Sequence, residues 1–105
     1  QAYASMKAQY FEQPQRIGPW LASLGVLIAE LAQEQGANQV AVQWYREVLS
    51  IAPLHPQATA GLAAELHQRG EIEQARDLCA ELILRIGPNK ECQAFIPVRR
   101  RPERP

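Results

Sequence analysis

Residues that carry covalent chemistry are scarce in this chain. Asp77 is the single aspartate, His55 and His67 are the two histidines, and Cys79 and Cys92 are the two cysteines. No glycine-rich phosphate loop, GxSxG elbow, HExxH helix or CxxC pair occurs, which removes the common phosphoryl-transfer, serine-hydrolase, zinc-protease and thiol-redox sites. Two cysteines are too few for a disulfide framework and match no metal-ligand spacing. Cys79 reads as a small buried hydrophobe, with Cys92 free to pair with it or with another chain. The sequence is therefore expected to be no enzyme and to hold no metal or cofactor.

Long apolar runs are also lacking. The longest, residues 20–29, is interrupted at Ser23 and Gly25 and is half of the roughly 20 residues that a membrane-spanning helix needs. It reads as a buried helix. No basic n-region or cleavage-like site follows Gln1, so a segment of a longer, cytoplasmic protein is expected.

Apolar residues make up 47% of the 105-residue chain and charged residues 21%, a globular composition. The formal charge is zero but unevenly placed. Residues 97–105 hold Arg99, Arg100, Arg101 and Arg104 against Glu103, a net +3 that leaves −3 on the rest. That segment is expected to be a disordered basic tail. An acidic body argues against nucleic-acid binding through the folded part.

No window alternates apolar and polar residues for long enough to make a strand, whereas helical spacing recurs throughout, so the class is all-α. Residues 1–13 form a first helix ending before Pro14. From Pro19 a second carries the stripe Trp20, Leu24, Leu27, Ile28 and Leu31 toward Gly36, a helix-ending glycine. A third places Val40, Ala41, Trp44, Tyr45, Val48, Leu49 and Ala52 on one face and ends at Pro53. A fourth, about 57–69, turns Leu62, Ala63 and Leu66 inward before Gly70. A fifth, about 72–86, aligns Ile72, Ala75, Leu78, Cys79, Leu82, Ile83 and Ile86 before Gly87 and Pro88. Glu65 with Arg69 and Glu81 with Arg85 are acid–base pairs four apart, expected on the wet faces.

The internal repeat is the most informative feature. An offset of 34 residues superposes Ile28 on Leu62, Ala29 on Ala63, Gly36 on Gly70, Ala41 on Ala75, Tyr45 on Cys79 and Val48 on Leu82. Together with Pro53, these positions resemble the tetratricopeptide repeat, a 34-residue pair of helices joined by a tight turn. The resemblance covers residues 22–89. It implies a right-handed superhelical stack of antiparallel helix pairs, with repeats at 22–55 and 56–89 in one domain spanning 1–96. The helix 1–13 and a short helix within 90–96 would cap its ends. Small alanines then stand where helices approach closely, and Tyr45 and Cys79 fill space beside the next repeat. Both copies depart from the family at the usual aromatic early in the first helix, where Gly25 and Thr59 stand.

The family relationship further implies a protein–protein interaction module, a scaffold or adaptor whose first helices line a groove for a partner segment. Projection assigns Val26, Glu30, Gln33, Gln57, Ala60, Ala64 and His67 to that groove, with Ser23 on the same outward face. Val26, Glu30, Gly61 and Ala64 stand where a chaperone-tail clamp would need cations and amides, so a carboxylate clamp is not expected. The alternative is an accessory or oligomerising domain of a larger enzyme, such as a transferase; RNA binding ranks third. Two repeats are fewer than the roughly three such stacks need, which calls for terminal caps or for homodimerisation through the exposed ends.

Overall fold

The computed structural model describes residues 2–94. The basic tail 97–105 and the end of the expected cap, 95–96, lie outside the described residues. Six helices and no strand are present among them: α1 (Ala2–Glu12), α2 (Pro14–Glu34), α3 (Asn38–Ile51), α4 (Pro56–Gln68), α5 (Ile72–Arg85) and α6 (Lys90–Gln93). The all-α class stands.

The helix boundaries repeat with the sequence. Adding 34 to the ends of α3 gives those of α5, the end of α2 maps onto the end of α4, and the start of α4 maps onto the start of α6. The two intra-pair turns are built alike. Gly36 and Gly70 both have positive φ, 78° and 88°, which a side chain disfavours. In each turn the residue after the glycine returns its N–H to a carbonyl five back, Ala37 to Ala32 at 2.8 Å and Glu71 to Leu66 at 2.9 Å. This closes the helix end with otherwise unpaired carbonyls satisfied.

One continuous core runs from Ala22 in α2 to Cys92 in α6. The repeat-pattern residues Ala29, Ala41, Val48, Ala63, Ala75 and Leu82 are fully enclosed in it. Close helix approach is set by missing side chains at two points. A Cβ on Gly25 would fall 2.4 Å from a methyl of Val48, and one on Gly61 would fall 2.3 Å from the Tyr45 ring. Tyr45 thus packs across the junction between the pairs, on α4.

The second helix differs from expectation in both start and face. It begins at Pro14, and Pro19 lies inside it. Proline at 19 removes only the N–H that would meet the Gln15 carbonyl, and both residues are exposed, so water reaches that carbonyl. The buried face is Leu21, Ala22, Gly25, Val26, Ala29 and Ala32. The larger stripe is not the core: Trp20, Leu27 and Leu31 are 68%, 53% and 50% exposed. Gly25 and the alanines of this face let α2 approach α3 closely, a Cβ on Gly25 falling 2.4 Å from Val48, and Leu21 and Val26 complete the buried face. In α3, likewise, Val42 is buried and Val40 is exposed.

The acid–base pairs divide. Glu81 and Arg85 form their expected surface bridge at 2.8 Å. Glu65 is only 3% exposed and bonds to Gln33, while Arg69 reaches Gln39 at 2.7 Å. The face of α4 that carries Glu65 is covered by the preceding pair.

α1 is held on α2 and α3 by Tyr3, which meets Trp44 edge-on with centroids 4.7 Å apart and donates to Glu47 at 3.1 Å. Lys7 bonds the same carboxylate. The Lys7 ammonium, more than the Tyr3 hydroxyl, holds the Glu47 carboxyl below its ordinary value. A carboxyl lowered on folding contributes stability that is complete above its unfolded value, 4.5, and is lost as pH falls through the folded one. Both partners are partly exposed, so the pair is worth about 0.5–1 kcal/mol. Acid titration followed by the near-ultraviolet signal of Trp44 should show α1 loosening below that value. Glu47→Gln should remove that component of the acid dependence; an unchanged acid limb would show that α1 is held by other contacts.

Candidate functional site

The second helix of each pair backs the core, and the first helices, α2 and α4, stand side by side with α6 beyond them. Between them opens a cavity of about 420 Å³ lined by Glu30, Gln33, Tyr45, Gln57, Ala60, Gly61, Ala64, Glu91 and Ala94. Five of the seven projected groove residues meet there: Glu30, Gln33, Gln57, Ala60 and Ala64. Val26 does not, since it is buried in the α2–α3 core. His67 is exposed outside the cavity wall. Ser23 lines a separate hollow of about 570 Å³ with Tyr10, Pro19 and His55. The helical projection erred at Val26 because the buried arc of α2 is wider than its alanines alone suggest.

Gly61, a groove-face position in the sequence pattern, lines the cavity too, and Tyr45, Glu91 and Ala94 join it without a signal from helical projection. Tyr45 had been read as a spacer between repeats, and it is one: its ring fills the position left by Gly61. Its hydroxyl continues into the cavity wall and donates to Gln33 Oε1 at 2.8 Å. Gln33 Nε2 in turn donates to Glu65 Oε2 at 2.7 Å. The chain Tyr45–Gln33–Glu65 ties α3, α2 and α4 together with each member partnered, which a polar group in this setting requires.

The potential is negative. Burial, then the carboxylates of Glu30, Glu65 and Glu91, push the Tyr45 hydroxyl up to about 12. The same three carboxylates favour a positive charge entering the cavity, while Ala60, Gly61 and Ala64 give its floor an apolar, shallow contour. Among the described residues no positive side chain lines it.

Glu91 and Ala94 are placed by α6, a single turn capped by the Asn89 side chain, which accepts from Cys92 N–H at 2.9 Å. So short a helix has no stability of its own. It is anchored by a disulfide between Cys92 and Cys79 of α5, both fully buried. Cys79 is therefore enclosed as expected, but bonded. The repeat offers a signal for this pairing: Cys79 is the counterpart of Tyr45, which packs on the next first helix, and Cys92 is the counterpart of Ala58 on that helix.

His55 is not a solvated turn residue. It caps α4, its Nδ1 accepting from Ala58 N–H at 3.3 Å, and partial burial holds its imidazole below the ordinary value. Among the described residues no cluster of three or more His, Cys, Asp or Glu side chains is arranged to hold a metal ion, and no helix is long and apolar enough to cross a membrane.

No protein-family model, curated protein or solved structure matches this chain.

Proposed function

We propose that the chain is a protein-binding module, a right-handed stack of tetratricopeptide-like helix pairs. Its α2–α4–α6 groove takes a partner segment bearing a lysine or arginine side chain. One observation carries this reading: five residues projected from separate helices converge on a single cavity that Glu91 also lines, and the Glu30 and Glu91 carboxylates act together with the buried Glu65 on the Tyr45 hydroxyl. A carboxylate-bearing ligand is disfavoured by the same charges, and so is an RNA phosphate. The 34-residue register of the helix ends supports the repeat assignment, and the scarcity of catalytic residue types supports a binding role over an enzymatic one.

The test uses fluorescent peptides matched except for one lysine or arginine, titrated into the full chain and followed by anisotropy. The basic peptide should bind with an affinity that falls as salt rises, and Glu30→Gln with Glu91→Gln should weaken it about tenfold. Equal binding of the basic and neutral peptides would remove the charge assignment. Retention of affinity after Ala60→Leu and Ala64→Leu, which fill the floor without changing its charge, would remove the groove itself.

A further inference from the structure

The stripe on α2 that sequence spacing suggested as core is instead an uncovered apolar face. Trp20, Leu27 and Leu31 are exposed, and Leu24 and Ile28 are half-buried. The repeat says what kind of element belongs there. Its counterparts 34 residues on, Ala58, Gly61 and Glu65 for Leu24, Leu27 and Leu31, meet the preceding pair or the core in α4. Ala58 is fully enclosed, Gly61 lies against the Tyr45 ring and Glu65 bonds to Gln33 of α2. On α4 this face is closed by the helix pair before it. On α2 only part of that role is filled, since α1 stands where the second helix of a preceding pair would. Among the described residues α1 leaves Trp20, Leu27 and Leu31 exposed.

The geometry points to α2 of a second copy as the occupant, packed antiparallel across a two-fold axis. The stripe is self-complementary in that arrangement. An axis passing between Leu24 and Leu27 sets Trp20 against Leu31 of the second copy and Leu24 against its Leu27. The same line of the helix continues to Arg16 at one end and Glu34 at the other, through steps of 4, 4, 3, 4 and 3. Antiparallel pairing brings Arg16 beside Glu34 of the second copy at both ends. Parallel pairing would set Arg16 on Arg16 and Glu34 on Glu34. Charge therefore selects the antiparallel form while the apolar stripe supplies the attraction, and an isologous contact of this kind closes on itself as a dimer. The cation-binding groove uses Glu30, Gln33 and the side of α2 toward α4, so both surfaces remain open together.

Sedimentation velocity over a concentration series of the full chain should show a species of about twice 11.8 kDa. Leu27→Glu with Leu31→Glu, at exposed positions that the folded monomer does not need, should weaken the dimer at least about 100-fold with helix content unchanged. Arg16→Glu alone and Glu34→Arg alone should each weaken it about tenfold, and the two together should restore it. A chain that is monomeric at every concentration overturns the inference and leaves the stripe to a helix of another protein. A dimer that survives the Leu27 and Leu31 changes overturns the surface. A dimer untouched by either charge reversal, or not rescued by both, overturns the antiparallel arrangement.

Discussion

Tyr45→Ala is expected to lower the unfolding free energy by about 3–5 kcal/mol, the range for emptying a fully enclosed aromatic site. That is a large part of the 5–15 kcal/mol typical of a single domain. Three losses coincide at this residue. The ring is enclosed at the junction between the helix pairs, the Gly61 backbone loses the surface it lies against, and Gln33 loses the donor that orients it toward Glu65. Tyr45→Phe isolates the last of these and should cost about 1 kcal/mol. Urea unfolding followed by circular dichroism reads both, with a shifted midpoint and an unchanged slope.

The contact with Gly61 allows a sharper form of the experiment. In the native chain Gly61→Ala forces a Cβ into the ring and should destabilise by about 1–3 kcal/mol, despite the better helix propensity of alanine. Once residue 45 is alanine, the same change meets open space, and propensity alone should make it stabilising by roughly 0.5–1 kcal/mol. Opposite signs in the two backgrounds are the mark of direct contact. Equal effects would mean that Tyr45 and Gly61 do not set the spacing of the pairs.

Reduction of the Cys79–Cys92 bond is the second large effect. The bond closes a loop of separation 13, for which the loss of unfolded-state entropy is worth about 3 kcal/mol. For a domain of this size that corresponds to a fall in Tm of roughly 12–24 °C. Cys92→Ala should reproduce most of it without a reductant and leave Cys79 as a buried apolar thiol. The consequences extend beyond stability, because α6 carries Glu91 and Ala94 into the groove wall. The reduced chain should bind the basic peptide more weakly even at temperatures where it stays folded. A melting temperature unchanged by reductant, or two thiols titrating in the untreated native chain, would show that the bond does not form. Disulfides persist in oxidising surroundings and are rare in reducing cytosol, so the redox poise around the chain sets how much of this stabilisation is present.

These residues also show how far one dimension reaches. Helix ends and the 34-residue period could be read from the chain because they depend on local chemistry. Gly36 and Gly70 at positive φ close α2 and α4, Pro53 follows the end of α3 and Pro56 opens α4, whereas the start of α2 at Pro14, with Pro19 inside the helix, was not legible in this way. The small residues Ala29, Ala41, Ala63 and Ala75 were legible for a related reason: they recur at one offset, and a repeated small residue marks a repeated close approach.

The choice between two apolar faces of α2 was not local. Trp20, Leu24, Leu27 and Leu31 carry more hydrophobicity than Ala22, Gly25, Ala29 and Ala32, and spacing alone favours the bulkier set. Packing reversed the order because Val48 comes so close to Gly25 that a Cβ there would fall 2.4 Å from it, which sets the face centred on Gly25 against α3. The burial of Glu65 was not local either, since a glutamate four before an arginine resembles a surface pair until a neighbouring helix brings Gln33 within 2.7 Å. The groove was half legible: periodicity located Glu30, Gln33, Gln57, Ala60 and Ala64, while Tyr45 and Glu91 entered through contacts between repeats and through a covalent bond. What lies along a helix follows from its own residues, and what lies across two helices depends on how closely their backbones are allowed to approach.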